Sequence, residues 1–381
     1  MRIDLNNLAR EYKSIKTKAN KAMQEVINSS AFIFGKQLME FEKNFAEFCN
    51  VKYSLGADSG TGALEMALRA LNIREGDEVI VPTFTFYATA ASVCYVGAKP
   101  VFVDVEEDTG NMDMDKLESL LETSFKNSSC RIKAIIPVHI FGQPVNMERV
   151  MAIAKKYKLL VIEDSAQAHG AEVKIGDKWH IAGSIGELGC FSFYPAKNLG
   201  CYGDGGAITT NSDELANSIK LLRDYGRLDK YLHKSIGYNK RLDTLQAAVL
   251  IIKLANLRKW NDKRRKFAQM YNRLLKDVSQ VKFLTVKDYA KPVFHQFVLK
   301  VEDRDNLKNY LAENEIFTGI HYPVPLHLQP SFGFLGYKKG DLPVSEQLGE
   351  HVLSIPMHPF LRLKEVKFVA DKIKEFYRNT K

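Results

Sequence analysis

Residues 161–171 read VIEDSAQAHGA, and they decide how the rest of the chain is organised. The apolar run LLVIE (159–163) leads into two adjacent carboxylates, Glu163 and Asp164, followed by small and polar residues. That is the pattern of a buried strand whose C-terminal end opens into a loop. Open α/β sheets bind their ligands at that end of the strands. A carboxylate there can hold a protonated ring nitrogen, as a pyridinium electron sink requires, and Asp164 is the better candidate of the pair. Gln167, three residues on, can reach the phenolic oxygen of such a ring. Standing alone, a strand-end Asp more often caps a helix or anchors a loop.

Working outward, similar apolar runs recur as EVIVP (78–82), PVFVDV (100–105) and AIIPV (134–138). Between them lie segments of helical period at 61–71, 115–123 and 147–157. Strands alternating with helices at this spacing predict an α/β fold: a mostly parallel central sheet with helices on both faces. A long helix is expected over 244–275. The last hundred residues, with strands expected at 294–301 and around His321, suit a smaller C-terminal α+β domain. The expected division is a large domain over 1–245, opening with a lead-in helix and loop, and the linking helix plus small domain over 246–381.

Three more stretches carry chemistry. In FSFYPAKNLGCYGDGGAI (191–208), a strand is expected at 191–193, Pro195 forces a turn, and Lys197 follows it among Phe, Tyr and Pro. Partial burial lowers a lysine pKa and makes a better Schiff-base nucleophile. The glycines at 200, 203, 205 and 206 let backbone pass close to a bound group. A lysine in a glycine loop can equally be a plain surface residue. SLGADSGTGAL (54–64) joins a short strand to a helix, so Ser59, Gly60 and Thr61 stand at a helix N-terminus suited to phosphate. It does not fit GxGxxG, and no acidic residue ends the next strand, which disfavours a dinucleotide-binding oxidoreductase. TFTFYATA (83–90) offers Phe86 or Tyr87 to stack on a flat ring, Phe86 being preferred.

Composition closes off other classes. The chain has 381 residues, a net charge of +9, and no stretch near the roughly 20 apolar residues of a membrane helix. The charged N-terminus predicts no signal peptide. Five scattered cysteines without CxxC spacing suit reduced thiols in the cytoplasm. The basic run RKWNDKRRK (258–266) is expected to be a solvated helix face, and nothing indicates nucleic-acid binding. The histidines show no metal spacing and there is no GxSxG elbow, so no metal is expected.

Taken in order, SGT, FTFYATA, GAKPVFVDV, IPVHIFGQP, IEDSAQAHGA, FSFYPAKNLG, GDGGAI, GYNKRLDTLQAAVL and IPMHPF closely resemble the DegT/DnrJ/EryC1/StrS sugar aminotransferases, over essentially the whole chain. The resemblance implies a fold-type I enzyme dependent on pyridoxal 5′-phosphate (PLP), a homodimer with active sites shared between subunits. It implies that Lys197 is the Schiff-base lysine and general acid–base, that Asp164 pairs with the pyridine nitrogen, and that Gln167 meets the ring oxygen. Phe86 would stack on the ring. Gly60, Thr61 and Ser192 would bind phosphate, with Asn239 reaching in from the partner. Arg227, His321 and Tyr322 resemble residues lining the sugar-nucleotide cleft of some members.

The implied reaction moves an amino group from glutamate to a keto group of a nucleotide-linked hexose by a ping-pong route. The N-terminal segment and GCYGDGGAI look more like members acting at C-3 than at C-4. Relatives with histidine in place of the lysine act as dehydratases; Lys197 argues against that, and the intact site set argues against a non-catalytic relic.

Overall fold

The computed structural model describes residues 1–127 and 129–379. Two helices, α1 (Leu8–Ser29) and α2 (Lys36–Cys49), lead into β1 (Tyr53–Ala57), α3 (Gly60–Ala70), β2 (Glu78–Pro82), α4 (Ala88–Tyr95) and β3 (Lys99–Val103). Then come α5 (Met114–Ser124), β4 (Ile132–Ile135), α6 (Met147–Tyr157) and β5 (Leu160–Asp164). The hairpin β6 (Glu172–Ile175) and β7 (Lys178–Ile181) precedes β8 (Leu188–Ser192), β9 (Gly206–Thr210) and α7 (Asp213–Leu222). The C-terminal part holds α8 (Thr244–Leu275), β10 (Val281–Phe283), β11 (Ala290–Lys291), β12 (Phe297–Val301), α9 (Arg304–Glu313), α10 (Pro343–His351), β13 (Val352–Ile355) and α11 (Leu363–Asn379).

Seven strands form the central sheet in the order β1-β9-β8-β5-β4-β2-β3. The pairs β2–β3, β2–β4, β4–β5 and β5–β8 are parallel, while β9 runs antiparallel to both β1 and β8. The mostly parallel sheet expected from the alternating pattern is therefore present, with one reversed strand. Strands buried on both faces read as continuous apolar runs, which is why 78–82 and 160–164 were so plain in the sequence. Strand alternation sends Val79, Val81 and Ile162 into one core with α3, α4 and α7, and Ile80 and Val161 into another with α5 and α6. Near β8 and β9, Phe41 and Phe45 of α2 pack edge-on against Phe193 and Phe191 and share a core with the start of α8.

A second sheet, β10-β12-β13, packs with α9, α11 and the end of α8 around its own core, which also takes in Ile3 at the start of the chain. Some expectations shift. The C-terminal strand starts at Phe297 because Phe294 has φ +46°, which breaks an extended run before it. His321 lies outside any strand. The strand expected at 191–193 begins at Leu188 and ends at Ser192. The basic run of α8 is not wholly solvated: Arg264 is buried and donates to the carbonyls of Phe294 and Met357. No helix among the described residues is long and apolar enough to cross a membrane.

Candidate active site

The site forms where β5 ends. Because successive side chains alternate across a strand, Glu163 and Asp164 face opposite sides of the sheet. Glu163 is fully buried and meets His139, accepting also from the backbone N–H groups of Gly183, Ile185 and Gly186. Burial works against its charge, but His139 and those N–H donors hold the carboxyl below its ordinary range. Asp164 turns the other way, toward α4, where Thr89 donates to Oδ2 at 2.8 Å and the Ala166 N–H to Oδ1 at 3.1 Å. Burial pushes the Asp164 pKa up, against the pull of Thr89, Ala166 and nearby Lys197. Among the described residues it has no ion-pair partner. A buried carboxylate without a cation is costly, and a protonated ring nitrogen would supply one.

Lys197 sits in the turn that follows β8, its N–H bonded to the Tyr194 carbonyl. The residue is partly exposed while its amine is enclosed, and this desolvation lowers its pKa to about 8, despite Asp164. The turn is fastened from outside: Asn6 donates to the Ala196 carbonyl, and Asn198 to Asn261 and the Val293 carbonyl. Around it stand three histidines kept neutral by burial and by the Lys197 charge: His169, depressed to about 3, His295, and His321, depressed to about 4.

Ser59 caps α3 by accepting from the Gly62 N–H, so Gly60 and Thr61 occupy the first turn as expected. A Cβ on Gly60 would lie 2.6 Å from the Cβ of Ser192, so the proposed phosphate residues converge. A Cβ on Gly206 would lie 2.4 Å from the Ser59 carbonyl oxygen, the close approach that glycine there allows. Phe86 is 54% exposed although it lies beside this buried machinery, with its ring 6.1 Å from that of Tyr322. Gln167 donates to the Tyr322 hydroxyl at 3.1 Å, and the His321 Nδ1 lies 2.8 Å from the Ser354 hydroxyl.

An uncovered aromatic, a buried carboxylate lacking a cation, an amine of lowered pKa and a helix N-terminus together fit a flat, phosphorylated, aldehyde-bearing pyridine. Two other expected residues make their contacts with Asp224. Arg227 pairs with Asp224 at 2.6 Å, and Asn239 is exposed and bridged to Asp224. Thr89, Asn6 and His139 escaped the sequence reading. Thr89 lies inside TFTFYATA, seven residues after the end of β2, and that position was its only signal.

The chain matches the model of the DegT/DnrJ/EryC1/StrS aminotransferase family over residues 13–374. It is 42% identical over 381 residues, all of both chains, to a Geobacillus stearothermophilus protein named as a pleiotropic regulatory protein. It is 42% identical over 350 residues, 92% of this chain and 91% of the other, to the UDP-N-acetyl-3-dehydro-alpha-D-glucosamine 3-aminotransferase of Acidithiobacillus ferrooxidans. In structure it is similar to S. venezuelae DesV, solved in complex with a ketimine intermediate, with TM-score 0.93, 37% identity and 98% of each chain covered. Sequence, fold and site geometry agree: the chain belongs to the DegT/DnrJ/EryC1/StrS aminotransferase family.

Proposed function

We propose that this PLP-dependent aminotransferase takes an amino group from glutamate and places it on C-3 of a nucleotide-linked 3-keto hexose. The observation that carries this is the enclosed Lys197 amine, with its lowered pKa, beside the buried Asp164 carboxylate. The choice of C-3 rests on the named activity of the A. ferrooxidans relative and on the N-terminal sequence. When bound, the cofactor supplies an aldehyde that captures amines and a ring that accepts the electron pair left by a departing α-proton.

The protein's own groups do the rest. Lys197 would hold the resting cofactor covalently, and its released amine would take the donor's α-proton and return one to the sugar carbon. A pKa near 8 suits that exchange at neutral pH. Asp164 would keep the ring nitrogen protonated. Gln167 would donate to the ring oxygen, Phe86 would cover one ring face, and Gly60, Thr61 and Ser192 would seat the phosphate. His321 and Tyr322 would line the sugar-nucleotide cleft, Tyr322 lying beside Phe86 and Gln167. All five cysteines are free, which favours a cytoplasmic setting.

Purified protein loaded with PLP and given glutamate with a panel of 3-keto and 4-keto nucleotide sugars tests the proposal. Amination of the 3-keto sugars is expected, with glutamate alone changing the visible absorption, as a ping-pong route requires. Amination confined to 4-keto sugars overturns the regiochemistry.

We also propose a homodimer with shared sites. The segment 225–237 exposes Leu228, Tyr231, Leu232 and Ile236, the last 86% exposed, apolar side chains that a second subunit would cover. The polar stretch 237–240 that follows it carries Asn239, whose amide would suit a phosphate oxygen of the facing subunit. Mixing Lys197→Ala subunits with Asn239→Ala subunits should yield heterodimers with one intact site and recover activity above either variant alone. With Asn239→Ala strongly impaired and subunit exchange demonstrated, no recovery means the sites are not shared.

A further inference from the structure

We propose that the loop 139–145, held by Asn111 and His139, fixes which way round the Gln167 amide points and so what Gln167 offers the cofactor. The proposal rests on the cofactor assignment above. Gln167 Oε1 accepts from the Phe141 N–H at 2.6 Å, and its Nε2 donates to the Tyr322 hydroxyl at 3.1 Å. A glutamine amide has two N–H donors and one acceptor group. With Oε1 engaged and one N–H on Tyr322, the second N–H remains for a ligand. A donor is what a ring oxygen bearing negative charge requires. Turned over, the amide would set its own oxygen there and repel that charge.

The device lies in how the Phe141 N–H is aimed. Phe141 has φ +58° and Gly142 φ +89°, two consecutive left-handed residues, a backbone state that Phe adopts only when its surroundings impose it. Asn111 supplies one clamp: Oδ1 accepts from the Ile140 N–H, and Nδ2 donates to the carbonyls of Gln143 and Pro144, at 3.2–3.3 Å. His139 supplies the other. Its Nδ1 accepts from the Val145 N–H at 3.1 Å, so the neutral ring carries its proton on Nε2, which faces Glu163 at 3.0 Å. The His139 N–H also donates to the Asp164 carbonyl, tying loop and strand end together. Gly142 completes the fit, since a Cβ there would stand 2.8 Å from Val293 Cγ2 and 2.9 Å from the Gln167 carbonyl oxygen. Asn111 and His139 are both buried and neither contacts a proposed ligand, so they act as positioning residues through Gln167.

The test is a double-mutant cycle on PLP-loaded protein, read by the pH midpoint of the visible absorption change of the bound cofactor. Losing the donor to the ring oxygen disfavours its charged form, so Gln167→Ala should raise the midpoint by about one unit, or tenfold in proton affinity. Asn111→Ala should shift it the same way by about half as much. Asn111→Ala combined with Gln167→Ala should shift it no further than Gln167→Ala alone. His139→Ala should mimic Asn111→Ala, and His139→Gln, which keeps a donor for Glu163, should recover part of the loss. If Gln167→Ala moves the midpoint while Asn111→Ala and His139→Ala do not, or if the shifts add, the inference falls and the cofactor assignment stands. If Gln167→Ala itself moves nothing, both fall. Melting temperature cannot substitute for this readout, because loosening a buried loop lowers it whatever Gln167 does.

Discussion

Lys197→Ala is expected to lower kcat by at least about 10⁴-fold, or more than about 5 kcal/mol in transition-state free energy, while PLP remains bound. The residue would supply both the covalent hold on the cofactor and the amine that moves the proton, and no nearby group replaces it. His169, His295 and His321 are kept neutral by burial, but their pKa values fall too far below 7 to act as an efficient base. Cofactor affinity should survive in large part, since α3, Ser192, Phe86 and Asp164 are untouched. A turnover assay beside equilibrium binding of PLP separates the two effects. Turnover within tenfold of wild type would remove Lys197 from the mechanism. The pKa of about 8 adds a sign: the neutral amine is the reactive form, so capture of PLP by the cofactor-free protein should quicken from pH 7 to 9 and then level off.

The parts legible in the sequence share one physical cause. EVIVP and LLVIE announced β2 and β5 because a strand buried on both faces has to be apolar throughout. The helices over 147–157 and 244–275 were equally plain in their 3.6-residue period. Asp164 could be singled out because strand ends hold ligands, and alternation on β5 then explains why Glu163 faces His139 instead. The hairpin of β6 and β7 was missed: its strands are short, half-exposed and partly charged, and its turn rests on Gly176. The clamps on the site were missed for a different reason. Asn6, Asn111, Thr89 and His139 act through contacts far apart in the chain, such as Asn6 to the Ala196 carbonyl, and no local pattern records them. Within one chain the contacts of Arg227 and Asn239 are with Asp224, and a contact supplied by a second subunit would leave no trace in one subunit's geometry.

Asp164→Asn should leave the fold and much of the cofactor occupancy intact and still lower kcat by about 10²–10⁴-fold, roughly 3–5 kcal/mol. The substitution is nearly isosteric, and the local network can absorb it. The Ala166 N–H can only donate, so it fixes the amide oxygen at the Oδ1 position and turns the new NH2 toward Thr89. The Thr89 hydroxyl can rotate to accept from it. What disappears is the negative charge that would keep the ring nitrogen of a bound cofactor protonated. Stability gives an independent check on this account. Burial raises the Asp164 pKa in the folded, cofactor-free protein, so the folded state holds that proton more tightly than the unfolded chain does. Such a group favours folding at low pH and counts against it as pH rises through the folded pKa. At pH 7 the cofactor-free Asp164→Asn protein should therefore melt at or above the wild-type temperature, while PLP-loaded wild type regains the advantage by giving the carboxylate its cation. Thermal melts of both proteins with and without PLP, set beside kcat, measure each part. A rate loss under tenfold, or a cofactor-free variant that melts well below wild type, would show that Asp164 serves the fold rather than the ring nitrogen.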